Sequence, residues 1–122
     1  MSQHFSARSV GHAWRGLRFV WKTEPHFRFH SLCAIAVFLC TVLLPLEPWQ
    51  VFAVGVVIIL VLVLELLNSA LERLVDIVEP RWSAPVKEIK DILAGMVLLV
   101  SAFSALVGAS IFLPLIFNFF HL

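Results

Sequence analysis

The sequence predicts an all-α integral membrane protein, with three transmembrane helices preceded by an amphipathic helix lying on the membrane surface. Three observations lead there. The 122 residues are 61% hydrophobic and 14% charged, with a mean hydropathy of +0.97, against roughly 45–50% apolar residues in an ordinary soluble domain. The apolar residues gather in three runs, each near or above the roughly 20 residues a helix needs to cross a bilayer core. Lysine and arginine lie before or at the start of the first run, or around the connection between the second and third, and the turn PLEPWQ between the first and second contains neither. Strands are excluded by the lack of apolar/polar alternation, and three of them could not close their edges in lipid. No repeat, Gly/Ser linker or low-complexity tract divides the chain, so residues 1–122 read as one domain.

The surface helix is placed at about residues 6–26. Val10, Ala13, Trp14, Leu17, Val20 and Trp21 recur at helical spacing on one side, with Arg15, Arg18 and Lys22 on another, as in a basic amphipathic helix resting on anionic lipid. The first span, about 27–45, ends at Pro45. It is not a signal peptide, because it follows a long Trp-containing segment, lacks a clear small-residue cleavage site and precedes two further spans. The second span with a cytoplasmic extension occupies about 49–79, and the third about 86–120, with Pro114 expected to kink its outer end. The Lys/Arg bias puts the N-terminus and the second connection in the cytoplasm. The expected location is therefore a bacterial inner membrane, crossed several times. A net charge of +1 gives no reason to expect a nucleic-acid partner.

Polar chemistry concentrates in ELLNSALERLVD, residues 65–76, which follows fourteen uncharged residues from Val51 to Leu64. On a helix, Glu65, Asn68, Ser69, Glu72 and Asp76 fall within an arc of roughly 100°, with Glu65 deepest. Glu72, Arg73 and Asp76 suit a helix end leaving the membrane. Glu65 does not, since an acid at a helix centre costs on the order of 2.5–3.5 kcal/mol, and less near an interface. Glu24 arrives at the same boundary from the surface helix, which gains nothing as a simple anchor from carrying an acid. Carboxylates converging there repel one another unless a cation joins them. Mg²⁺ typically uses one or two carboxylates and completes its shell with substrate phosphates, and Lys87 and Lys90 are placed to contact phosphate. Metal, cationic clamp and proton-accepting carboxylate are the equipment of phosphoryl transfer, although no GxxxxGK[ST] or kinase Gly-rich loop is present.

ELLNSALERLVD followed by KEIKDILAGMVLL resembles the signature of the prokaryotic membrane diacylglycerol kinases and their undecaprenol kinase relatives, and WRGLRFVWKTEPHFRFH resembles that family's surface helix and its junction with the first span. The resemblance covers nearly the whole chain. It implies a homotrimer of three-span protomers that transfers the γ-phosphate of ATP to a lipid hydroxyl, with Mg²⁺ as cofactor. By position it makes Glu65 the catalytic base and Glu24 and Glu72 the metal carboxylates. It places Glu24, Glu72, Asp76, Lys90, Asp91 and Arg15 around the nucleotide, and Asn68, Ser69, Glu65 and His30 along the lipid substrate site. His30 stands where some members carry an acid and others, including the undecaprenol kinase branch, carry His. FRFH and KEIKDILAG are more similar to that branch.

Other features read more plainly. Cys33 and Cys40, seven apart on an apolar helix, are too distant for a mutual disulfide and are expected to pack in the core. His26 and His30 have i, i+4 spacing, but no third His or Cys lies near in sequence to complete a zinc site. A small oligomeric transporter subunit is the alternative function. Such proteins place their acids toward the midplane, whereas these cluster with lysines at one boundary.

Overall fold

The computed structural model describes residues 7–121, so the predicted start of the surface helix at residue 6 lies outside the described residues. Four helices follow in order: α1 Ala7–Thr23, α2 Pro25–Leu43, α3 Pro48–Val78 and α4 Ala84–Phe119. α2, α3 and α4 are each long and apolar enough to cross a membrane, and no strand occurs among the described residues. This is a multi-pass membrane protein.

Each helix boundary has a local cause. α1 stops at Glu24, whose backbone is extended (φ −115°, ψ 102°) because Pro25 follows it and opens α2; the proline ring crowds a helical predecessor. α3 opens with a capping box in which the Glu47 backbone N–H donates to Gln50 Oε1 at 2.9 Å, with Pro48 in the first turn. α4 opens at Ser83, whose Oγ accepts from the Val86 N–H at 3.4 Å. Pro114 sits inside α4, which continues through it to Phe119.

α3 is the central element, packed against both α4 and α2, while α1 rests on α2. The side chains that reach burial are few: Phe27, Val54, Val86, Leu93 and Ile111 among apolar residues, with Thr41 and Ser69. Large apolar side chains such as Phe29, Leu43, Phe52, Ile92 and Leu99 lie open on the spans. In water that surface would drive aggregation; in a bilayer it is the solvated surface, because lipid tails are as apolar as the side chains. Cys33 and Cys40 share this fate. Both are free thiols on the exposed surface of α2 and not in a core, which corrects the sequence expectation: a lipid-facing helix need not bury its small apolar residues. Thr41, Ser104 and Ser110 turn their hydroxyls back to their own helix, as when Ser104 Oγ donates to the Val100 carbonyl at 2.7 Å, since no water is there to satisfy them.

Helix length then positions the chemistry. The 31 residues of α3 extend about 46 Å at 1.5 Å per residue, against about 30 Å for a bilayer core. Counted from its apolar beginning, α3 leaves the hydrocarbon near Asn68. Glu65 therefore sits just inside the boundary, and Glu72 and Asp76 sit beyond it.

Candidate active site

The stripe on α3 faces a polar cleft of about 350 Å³ bordered by α1, α2, α3 and α4. Glu65, Asn68, Ser69 and Glu72 line it from α3, Glu24 from the α1–α2 junction, and His26 and His30 from α2. Ala94 and Val97 of α4 close another side. One chain thus brings Glu24 together with Glu65 and Glu72, more than 40 residues further along the sequence.

Glu24 is held in place from α3. Ser69 Oγ and Arg73 Nη2 each donate to its Oε1 at 3.2 Å, and the same Arg73 nitrogen donates to Thr23 Oγ1 at 3.2 Å. The Arg73 guanidinium also lies over the Phe19 ring, 4.7 Å from its centroid. Deeper in the cleft, His30 Nδ1 is hydrogen-bonded to Glu65 Oε1, with the Glu65 side chain only 10% exposed. Glu65 Oε2 and Asn68 Oδ1 are buried without a hydrogen-bond partner among the described residues. Unsatisfied buried oxygens are costly, and two of them together mark a place where a donor-bearing ligand would be favoured.

The remaining sequence candidates stand apart from this cleft. Lys90 Nζ donates to Asp76 Oδ1 at 2.9 Å, bridging α4 to α3, and lies 5.7 Å from the Trp82 ring centroid. Lys87 pairs with Asp91 one turn away at 3.0 Å, both exposed. Arg15 bonds within α1, to the Gly11 carbonyl at 3.3 Å and His12 Nδ1 at 2.9 Å. None of these residues lines the cleft.

The family model for prokaryotic diacylglycerol kinase matches residues 11–112. The chain belongs to the prokaryotic diacylglycerol kinase family. Similar members include a diacylglycerol kinase from Synechocystis sp., 37% identical over 107 residues, covering 87% of this chain and 61% of that protein. An undecaprenol kinase from Bacillus subtilis is 36% identical over 107 residues, covering 88% of this chain and 87% of its own length. The chain therefore spans less than two thirds of the Synechocystis protein and most of the Bacillus one. The matched region of this family member contains every residue that lines the polar cleft.

Two features of the site were not visible in the sequence. Arg73 reads there as an ordinary charge at a helix end, yet it ties the metal-site candidate Glu24 to α3. The contact between His30 and Glu65 joins residues 35 apart in sequence, and no spacing rule within one helix could find it. The oxygen-rich donor set suits Mg²⁺. Glu24 and Glu72 line one cleft, and among the described residues no three of His, Cys, Asp and Glu form a metal cage. An ion that arrives with phosphate oxygens takes only one or two carboxylates from the protein, and Glu24 and Glu72 are the residues that would hold it.

Proposed function

We propose that the protein is a lipid kinase that transfers the γ-phosphate of ATP to the hydroxyl of a membrane lipid, diacylglycerol or undecaprenol. The observation that carries this reading is the polar cleft itself: carboxylates at the depth where a lipid hydroxyl resides, continuing along α3 to carboxylates at the depth of water. A lipid acceptor and a soluble donor can meet only at such a boundary. The transporter reading lacks support, since the cleft lies at the end of the spans and both relatives named above are kinases.

In this reading Glu24 and Glu72 hold Mg²⁺, which when bound neutralises charge on the triphosphate. Arg73 and Ser69 fix the Glu24 carboxylate and so preset that position. Glu65 provides the base of the site at the membrane surface, where its burial excludes competing water. Asn68 and Ser69 line the path of the acceptor. Lys90, Asp76, Asp91 and Arg15 surround the nucleotide at the aqueous end, a role that requires the Lys90–Asp76 and Lys87–Asp91 pairs to open toward phosphate. The N-terminus lies in the cytoplasm of a bacterial inner membrane, because the basic residues crowd that side. The assembly is a homotrimer, which would enclose a cleft that one three-span protomer leaves partly open.

His30 and the similarity of FRFH and KEIKDILAG to the undecaprenol kinase branch favour undecaprenol as acceptor. The test is purified protein with MgATP labelled at the γ-phosphate, offered diacylglycerol and undecaprenol in parallel. Label is expected in a lipid product, more of it with undecaprenol. ATP turnover independent of any lipid, or no transfer to either acceptor, would overturn the reading.

A further inference from the structure

Arg73 adjoins the polar cleft through Glu24, one of the acids that line it. It follows Glu72 directly on α3, on the stretch that has left the hydrocarbon. Its contacts are unevenly divided. Nη2 donates to Glu24 Oε1 and to Thr23 Oγ1, each at 3.2 Å, and the guanidinium lies over the Phe19 ring. Nη1 and Nε make no hydrogen bond among the described residues, and the side chain is 43% exposed. All three nitrogens of a guanidinium donate, so the donors on Nη1 and Nε are left for water or a ligand. Glu24 is divided likewise. Its Oε1 accepts from Ser69 and Arg73, while Oε2 has no partner among the described residues.

We infer, on the lipid-kinase reading and as a deepening of it, that Arg73 is a phosphate-binding residue of the nucleotide site: Nη1 and Nε donate to an ATP phosphate while Nη2 keeps its hold on Glu24 and Thr23. Lys90 and Lys87 each direct a single nitrogen at an acid, Asp76 and Asp91. Arg73 differs, because it can keep Glu24 and still offer two further nitrogens. The anchor at Nη2 and the ring of Phe19 fix the guanidinium before a ligand arrives, so little side-chain freedom is lost on binding. A triphosphate drawn to the Glu24 carboxylate with its metal comes up beside this cation, where charge-assisted hydrogen bonds are strong. A lipid phosphate would satisfy the same donors. ATP is favoured because Arg73 lies on the aqueous side of Glu72.

A direct contact persists when metal is removed, whereas a tether that acts through the metal carboxylate Glu24 does not. The test is ATP affinity by isothermal titration calorimetry, on purified protein in phosphatidylcholine nanodiscs, with Mg²⁺ and again with EDTA. Arg73→Gln is expected to weaken ATP binding about tenfold in both conditions, the contribution of one hydrogen bond to a charged group. Arg73→Lys recovers only part of that loss, since one nitrogen cannot hold Glu24 and reach outward together. Arg18→Gln, which removes the same charge from α1 outside the cleft, keeps an affinity near the parent's. Circular dichroism in the same discs checks that each variant retains the parent's helicity. A loss confined to Mg²⁺ would make Arg73 a positioning residue acting through Glu24 and overturn the contact. Equal affinities in EDTA, including no binding by either protein, would overturn it too. So would a fall in affinity for phosphatidic acid, titrated into the discs, in place of the fall for ATP, which would assign the guanidinium to a lipid phosphate. These outcomes leave the kinase reading standing; absence of lipid phosphorylation by the parent protein is what overturns that.

Discussion

Glu65 and Glu24 show how two acids lining the same cleft are handled differently. Glu24 is half exposed and neutralised by Arg73, while Glu65 is nearly enclosed and meets only an imidazole. Glu65→Gln keeps shape and hydrogen-bonding capacity but removes the negative charge, so turnover should fall by roughly 10²–10⁴-fold. MgATP affinity should persist, because Glu72 lies seven residues along α3, about 10.5 Å closer to water. Thermal stability should hold or rise, since an ionised group in an enclosed site gives way to a neutral one. Lipid phosphorylation, nucleotide binding and melting temperature measured on one preparation check all three. The metal assignment has its own signature. Glu24→Gln and Glu72→Gln should each raise the Mg²⁺ concentration needed for half-maximal activity, whereas Lys90→Ala should weaken nucleotide binding without that shift. Equal Mg²⁺ dependence across the three variants would overturn the proposal that Glu24 and Glu72 hold Mg²⁺.

Among the elements, α1 is the one held most lightly. It buries no residue, touches α2 at one end, and is linked to α3 through Arg73 to Thr23, Glu24 and Phe19. An exposed ion pair contributes about 0–1 kcal/mol and a cation–π contact at an exposed site about 0.5–1 kcal/mol. Arg73→Ala should therefore leave the three spans intact while the amides of α1 near Phe19 to Thr23 exchange hydrogen several-fold faster. Because Glu24 loses its tether, the KM for MgATP should rise more than kcat falls. Hydrogen-exchange mass spectrometry in lipid nanodiscs reads the first effect, and steady-state kinetics the second. Unchanged exchange in α1 would mean that lipid contact by Trp14, Leu17 and Trp21, not Arg73, holds this helix. The sequence shows the amphipathic character of α1 plainly, but not its tether, because Phe19 and Arg73 are brought together only when α1 and α3 dock.

At the scale of the whole molecule, the proposed direction across the membrane has a direct test. A cysteine at Pro45, in a chain lacking Cys33 and Cys40, should react with a membrane-impermeant thiol reagent in intact cells. One at Pro80 should react only after the cells are permeabilised. Both positions are exposed turns between helices, so reactivity reports side and not burial. The reverse pattern would place the polar cleft away from cytosolic ATP.

The sequence by itself determined the number of spans, the boundary at which the polar residues gather, and the acids on α3. These follow from local rules, namely the length of apolar runs, the 100° step of a helix, and the stop at Pro45. Even the deep position of Glu65 is readable, because a single charge after fourteen uncharged residues has few reasons to be there. Tertiary structure decided which of those residues share a space. It put Glu24, His30, Glu65 and Glu72 on one cleft, and left Arg15, Lys87, Lys90, Asp76 and Asp91 outside it, paired with neighbours on their own or adjoining helices. It also joined His30 to Glu65 and Arg73 to Glu24. The physical reason is that periodicity specifies the face a residue occupies on its own helix, whereas the rotation and depth at which two helices pack are set by side chains along the whole contact.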